Sequence, residues 1–310
     1  MNAGIKVFAP ATVANVACGF DILGFALERP GDEIIARFSQ KPGITITKIT
    51  GAKGKLPYEI EKNTAGFAAQ KVLDHLGDTS TGIELEIHKK MPFGSGLGSS
   101  AASAVAGVMA VNELLKRPLT KRELLPFAVL GEQIADGAYH ADNVAPSLLG
   151  GIIFIRSNET LDVHRLPLPK GLYATVVHPN VKILTKEARS VLSLEVTLKK
   201  SIIQSGNLGG LIIGLFNSDI ELIGRSLKDV IIEPQRAQLI PYFHDIKKAC
   251  LETGALGCSI SGAGPSIFAL SPNSLIAERI AQKMEKIYSD AKIENQVFIS
   301  KINQEGAIKL

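Results

Sequence analysis

Residues 92–103 read Pro-Phe-Gly-Ser-Gly-Leu-Gly-Ser-Ser-Ala-Ala-Ser, a density of glycine and serine suited to holding an anion. Glycine lets the backbone come close to a phosphate. The free N–H groups of a helix opening at Ser-Ser-Ala-Ala would then point at it. The serine hydroxyls add donors, or an oxygen for a metal. Three more clusters of small and polar residues lie far away in the chain, at 10–21, 140–146 and 261–265. A single glycine loop is a weak signal, because tight turns also need glycine. Four such clusters are better explained by one site assembled from distant loops than by four unrelated turns.

The flanking elements fit that reading. Residues 83–88 alternate apolar and charged side chains, as in a half-buried strand, and 101–115 form an Ala/Val/Met/Leu run without proline, as in a buried helix. Strands are expected at 5–8, 33–38 and 43–49, the last two joined as a hairpin by Lys41-Pro42-Gly43. Asn63 should cap a helix that ends at Leu76 before Gly77, and Thr120 with Glu123 a second helix from Lys121 to about Gly137. A strand follows Gly150-Gly151. The polar, Pro-containing stretch around 157–171 reads as a domain boundary, dividing the chain into 1–164 and 165–310. In the second half, helices are expected at 185–194, 201–216, 219–227, 236–253 and 274–288. Strands are expected at 173–178, 256–260, 266–270 and 296–302. Strands followed by helices, with two hairpins, indicate an α+β fold.

Composition narrows the function. A hydrophobic share of 45% with 21% charged residues is that of a globular protein, and 310 residues suffice for two domains. Aromatic residues are 5%, with no tryptophan and no basic cluster interleaved with aromatics, so nucleic acid is not an expected partner. The net charge of +4 is a mild bias toward anionic substrates. Cys18, Cys250 and Cys258 are odd in number and widely spaced. They suggest neither a disulfide framework nor a thiolate metal site, and fit a reducing cytoplasm. Neither a signal peptide nor a membrane span is expected. The glycine loop fits neither G-x-x-x-x-G-K-[ST] nor the dinucleotide fingerprint, and it contains no lysine.

The run P-x-x-x-G-L-G-S-S-A-A resembles the phosphate-loop signature of the GHMP kinases, and Ser261-Gly262-Ala263-Gly264-Pro265-Ser266 resembles that family's third motif. Within it, P-A-T-x-A-N-x-x-x-G-F-D at 10–21 and H-A-D-N-V-A-P at 140–146 are similar to the homoserine kinase branch. So are Thr185-Lys186-Glu187-Ala188-Arg189 and Glu233-Pro234-Gln235-Arg236. Ala17-Cys18 departs from the pattern, where glycine is more usual.

The resemblance implies a two-domain fold, ribosomal-protein-S5-like in the first half and ferredoxin-like in the second. It also implies transfer of phosphate from ATP to the side-chain hydroxyl of L-homoserine, a step of threonine biosynthesis, by a homodimer. ATP would lie on Pro92, Phe93, Gly94, Ser95, Gly96, Leu97, Gly98, Ser99, Ser100, Ala101 and Ala102. Asn63 reads first as a helix cap, with adenine contact as a second role.

Phosphoryl transfer depends on positioning and charge neutralisation. Magnesium takes hard oxygen ligands, and Ser100 with Glu132 match the family's pair. Glu132 could instead be a solvated helix position, although Leu130, Ile134 and Ala135 around it are apolar. An amino-acid substrate needs a cation for its carboxylate and an anion for its ammonium. Family matches put Arg189 and Arg236 on the first, Asp21 with Asn15 on the second, and His140, Thr185 and Gly262 in the same site. Asn143 would hold the reacting hydroxyl. The proton leaves through Asp142 or directly to phosphate; both routes stand open. Two alternatives remain: another GHMP small-molecule kinase of mevalonate or sugar type, and a non-catalytic nucleotide-binding relative.

Overall fold

The computed structural model describes residues 4–137 and 139–310. The first half of the chain builds a sheet from β1 (Ile5–Ala14), β2 (Leu23–Ser39), β3 (Gly43–Thr50), β4 (Gly82–His88), β5 (Ile152–Ser157) and β6 (Asp162–Leu166). β1, β2 and β4 lie side by side and antiparallel, β3 runs parallel to β4 at one edge, and β5 branches from β2 to carry β6. The expected hairpin between β2 and β3 is therefore absent. Gly82 at the start of β4 sits so close to the turn after β2 that a Cβ there would lie 2.1 Å from the Lys41 carbonyl oxygen. The turn thus swings β3 outward and leaves its place beside β2 to β4.

α1 (Thr64–Leu76), α2 (Ser99–Leu114) and α4 (Val144–Leu149) pack on this sheet, and α3 (Lys121–Asp136) packs on those helices. α2 is buried along nearly its whole length, which accounts for its lack of a polar face. It packs on β1 and β2 on one side and on α1 and α3 on the other. Both expected caps form. Asn63 Oδ1 accepts from Ala65 N and Gly66 N, and Thr120 and Glu123 make a capping box. α4 was not expected from the sequence.

The second half folds β7 (Tyr173–Pro179), α5 (Thr185–Ser190), α6 (Leu198–Asn217), α7 (Ile220–Ser226), α8 (Glu233–Arg236), β8 (Gly257–Ile260), β9 (Ile267–Ser271) and β10 (Asn295–Lys301) around an antiparallel sheet of order β10-β7-β9-β8. The helix α9 (Phe243–Glu252) precedes β8, and α10 (Ser274–Asp290) precedes β10. The expected hairpin at 256–270 is present as β8–β9. The single helix expected at 236–253 is not. Pro241 has no N–H and holds Ile240 extended (φ −110°, ψ 113°), so α8 gives way to one 3₁₀ turn and α9 starts afresh.

The halves are interlocked. Phe25 of β2 meets Phe268 of β9 edge to face at 5.9 Å, and Glu28 N donates to Ser300 Oγ at 2.7 Å. The last strand, β11 (Ile308–Lys309), returns to pair with β1. The expected cut between 164 and 165 lies inside β6, which belongs with β5 to the first sheet.

Candidate active site

The loop between β4 and α2 is locked by contacts that only glycine permits. Gly98 has φ +64°, and a Cβ there would lie 2.2 Å from Thr12 Oγ1 and 2.7 Å from Asn143 Oδ1. Gly96, at φ +75°, is pressed against the Ser261 carbonyl at 2.4 Å from a would-be Cβ. Three hydrogen bonds hold neighbouring loops to it: Thr12 N to Leu97 O at 3.0 Å, Ser261 Oγ to Gly96 O at 2.7 Å and Ser266 N to Ser95 O at 3.2 Å. The glycine-rich clusters at 92–103 and 261–265 and the end of β1 thus form one scaffold.

Around it opens a cavity of about 400 Å³. Of the expected nucleotide residues, Asn63, Phe93, Gly94, Ser95, Gly96, Gly98, Ser99 and Ser100 line it. Pro92, Leu97, Ala101 and Ala102 do not. Leu97, Ala101 and Ala102 are fully buried beneath the loop, where they anchor it and the first turn of α2. Every expected catalytic and substrate residue, from Asn15 to Gly262, lines the cavity.

Ser100 Oγ donates to Glu132 Oε1 at 2.7 Å. The hydroxyl comes from the first turn of α2 and the carboxylate from near the end of α3, so helix packing sets their separation. Among the described residues no group of three or more His, Cys, Asp or Glu side chains is placed to hold a metal. A hydroxyl and a carboxylate nonetheless suit a hard cation that keeps waters and takes phosphate oxygens.

Sequence reasoning found no lysine in the loop, but the fold supplies one. Lys89, immediately after β4, is buried against Asp32 and donates to Ser99 O and Ser103 Oγ, both at 2.6 Å. Burial pulls its ammonium below the ordinary lysine range, against the opposing pull of Asp32. Its Nζ also stands 5.8 Å from the Phe93 ring centroid. The only signal in the sequence was a charged residue where an apolar–charged alternation ended.

At the other end of the cavity, Asn15 sits in a strained turn with Val16 and Ala17, at φ +73°, +39° and +59°. Ala17, where the family pattern favours glycine, thus occupies a glycine-type conformation. Asn15 Nδ2 donates to Gly262 O at 2.8 Å and its Oδ1 accepts from Asp21 N at 3.0 Å. The Asp21 carboxylate is gripped at two points by Arg189, whose Nη2 also lies 2.9 Å from His140 Nδ1. Arg236 is buried, and its guanidinium donates to Ala188 O at 2.7 Å and Gly262 O at 3.3 Å. Desolvation, with Arg189 nearby, brings its pKa down to about 10, which still leaves it charged at neutral pH. Phe20, unforeseen, places its ring 5.5 Å from Arg189 and 5.0 Å from Arg236. Asn143, just before α4, accepts from Thr12 Oγ1 at 2.7 Å. The cavity therefore has a glycine-rich loop opening a helix and a hydroxyl–carboxylate pair at one end. Two guanidiniums and a carboxylate stand at the other, with an amide between.

Comparison with known proteins agrees with this architecture. Residues 63–151 match the GHMP kinases N terminal domain, and residues 211–290 match the GHMP kinases C terminal domain. The chain is 48% identical over 311 residues to a homoserine kinase of Chlorobium phaeobacteroides, covering 97% of both chains. The crystal structure of homoserine kinase from Cytophaga hutchinsonii superposes with a TM-score of 0.97 at 54% identity, covering 100% of this chain and 98% of that one. The L. major mevalonate kinase has a TM-score of 0.72 at 18% identity, covering 96% of each chain, which shows a shared fold. On identity and coverage together, the chain belongs to the homoserine kinases within the GHMP kinase family.

Proposed function

We propose that this enzyme transfers the terminal phosphoryl group of ATP to the side-chain hydroxyl of L-homoserine, giving O-phospho-L-homoserine for threonine biosynthesis in the cytoplasm. One observation carries the reading. A charge set fit for a zwitterion (Asp21, Arg189 and Arg236) opens onto the same cavity as the glycine loop and the Ser100–Glu132 pair. A sugar or mevalonate has no ammonium for Asp21 to meet.

The nucleotide phosphates lie on the backbone N–H groups of the loop and of the first turn of α2, where the helix N-terminus favours negative charge. Lys89 stays beneath that turn and holds the start of α2 through Ser99 and Ser103. Ser100 and Glu132 would hold magnesium, which when bound offsets phosphate charge. Arg189 and Arg236 take the substrate carboxylate, and Asp21 is left to its ammonium. With Oδ1 engaged by Thr12, Asn143 has its Nδ2 to orient the substrate hydroxyl. A loose phosphoryl-transfer transition state needs such alignment more than it needs a strong base. The working unit is a homodimer.

The test is ADP release in a coupled assay with homoserine, threonine, mevalonate and galactose in turn. Homoserine should stimulate release far above the others. The absence of any homoserine-dependent ADP would refute the proposal.

A further inference from the structure

α6 buries one face and leaves the opposite one bare. Its inner residues Leu211, Gly214 and Leu215 pack toward α7, with Ile223 and Leu227 in the same core. Outward stand Leu198 (76% exposed), Ile202 (63%), Ile213 (54%) and Phe216 (63%). Of the large hydrophobics exposed elsewhere among the described residues, most are scattered singly; here they share one helix face. At 3.6 residues per turn, Ile202, Gly206, Gly209, Ile213 and Phe216 are spaced four, three, four and three apart. That spacing forms the straight seam of a helix-pairing surface.

The two glycines in this seam have no partner within the chain. A Cβ at Gly206 or Gly209 would meet nothing within 4 Å. Each weakens a helix relative to alanine, and neither makes room for anything in the monomer. Bare glycines between exposed apolar residues allow another helix to approach closely.

We infer that this face is the contact surface between two copies of the chain, with the α6 helices antiparallel and crossing at Gly209. The inference specifies the surface of the homodimer proposed above and does not depend on the substrate. Two features choose a second copy as the occupant. Ile202 lies seven residues before Gly209 and Phe216 seven after, so in an antiparallel contact crossing at Gly209 each copy's Ile202 faces the other's Phe216, the self-complementarity of a two-fold interface. The ends of the helix are also complementary in charge. Lys199 and Lys200 lie at its start, no acidic residue falls within it, and Asp219 and Glu221 follow its end, all four exposed. The two-fold at Gly209 puts Lys199 opposite Asp219 of the second copy. No described helix, α6 included, is long and apolar enough to cross a membrane.

Sedimentation of the full chain at micromolar concentration, with circular dichroism as a folding control, reads the association. The protein should be dimeric, and Ile202→Glu or Phe216→Glu should raise the dimer dissociation constant by about 100-fold or more. Cysteine crosslinking reads the register, since the native thiols are buried. Gly209→Cys should crosslink to itself under mild oxidation. Ile202→Cys should do so only when mixed with Phe216→Cys. A wild-type monomer at high concentration overturns both the dimer and the surface. A dimer indifferent to both glutamates, or one that crosslinks through Ile202→Cys alone and never through Gly209→Cys, overturns this surface while leaving the dimer and the reaction intact.

Discussion

Arg189 and Asp21 neutralise each other at the wall of the cavity, Nη1 to Oδ2 at 3.1 Å and Nη2 to Oδ1 at 3.0 Å. The residues expected to meet opposite ends of an amino acid are thus bonded to one another. On the proposed roles, binding of a zwitterion would exchange this pair for two new ones, carboxylate on arginine and ammonium on aspartate. An uncharged substrate would have to break the pair without replacing it, which penalises it.

That exchange predicts that Arg189→Ala and Asp21→Ala each raise the homoserine KM by about 10- to 100-fold, with the ATP KM nearly unchanged. The double variant should lose less than the two single losses combined, because the partners are coupled. Initial-rate kinetics on the three variants check this. A homoserine KM unchanged in either single variant would take that residue out of the site.

Glu132→Gln keeps the shape of the Ser100 contact but removes a charge from it. We expect kcat to fall by about 100- to 1000-fold, and the magnesium concentration for half-maximal rate to rise. Chelation of divalent cations should stop the wild-type reaction. Turnover of Glu132→Gln at the wild-type rate across a magnesium titration would contradict the assignment.

Asn143→Ala should lose most of kcat/KM for homoserine while ATP binding, followed by fluorescence of a nucleotide analogue, persists. Gly98→Ala makes a contrast. Its methyl would strike Thr12 Oγ1 and Asn143 Oδ1 in a backbone conformation unsuited to alanine, so nucleotide binding and stability should both suffer, the latter by about 1–3 kcal/mol. Equal ATP affinity in the two variants would contradict this distinction.

Stability should depend on pH through His178, whose burial holds the imidazole below its ordinary value of 6.5. Between the lowered folded value and 6.5 the unfolded chain binds more protons, so stability rises with pH across that window and falls on acidification through it. His178→Gln should therefore show a smaller drop in Tm between about pH 7 and about pH 5.5 than the parent. Parallel curves would remove His178 as the cause.

Ala17→Gly should stabilise the protein by about 1 kcal/mol, or a Tm rise of about 2 °C, by relieving a residue at φ +59°. Thermal unfolding reads it directly, and a lower Tm would mean that the buried methyl contributes more than the strain removes.

Helix caps, turn glycines and strand alternation were legible because each is decided within a few residues. Asn63 bonds N–H groups two and three positions on, and Thr120 meets Glu123 within one turn. The scaffold of the loop at 92–103 was legible for a similar reason, since its glycines and the start of α2 lie within a few residues of one another. The residues proposed to hold the substrate came from resemblance to a family, because an isolated arginine has no local feature that marks it.

Tertiary structure decided whatever joins distant segments. It placed β4 between β2 and β3, because the turn after β2 leads away from the pairing edge. It broke the helix expected at 236–253, where an amphipathic pattern concealed the effect of Pro241. It put Lys89 beneath a loop that has no lysine, using Asp32 from 57 positions away. It bonded Arg189 to Asp21, 168 positions apart. Local preference acts through neighbouring dihedrals and hydrogen bonds, and such long-range partners meet only when the whole sheet and its helices have packed.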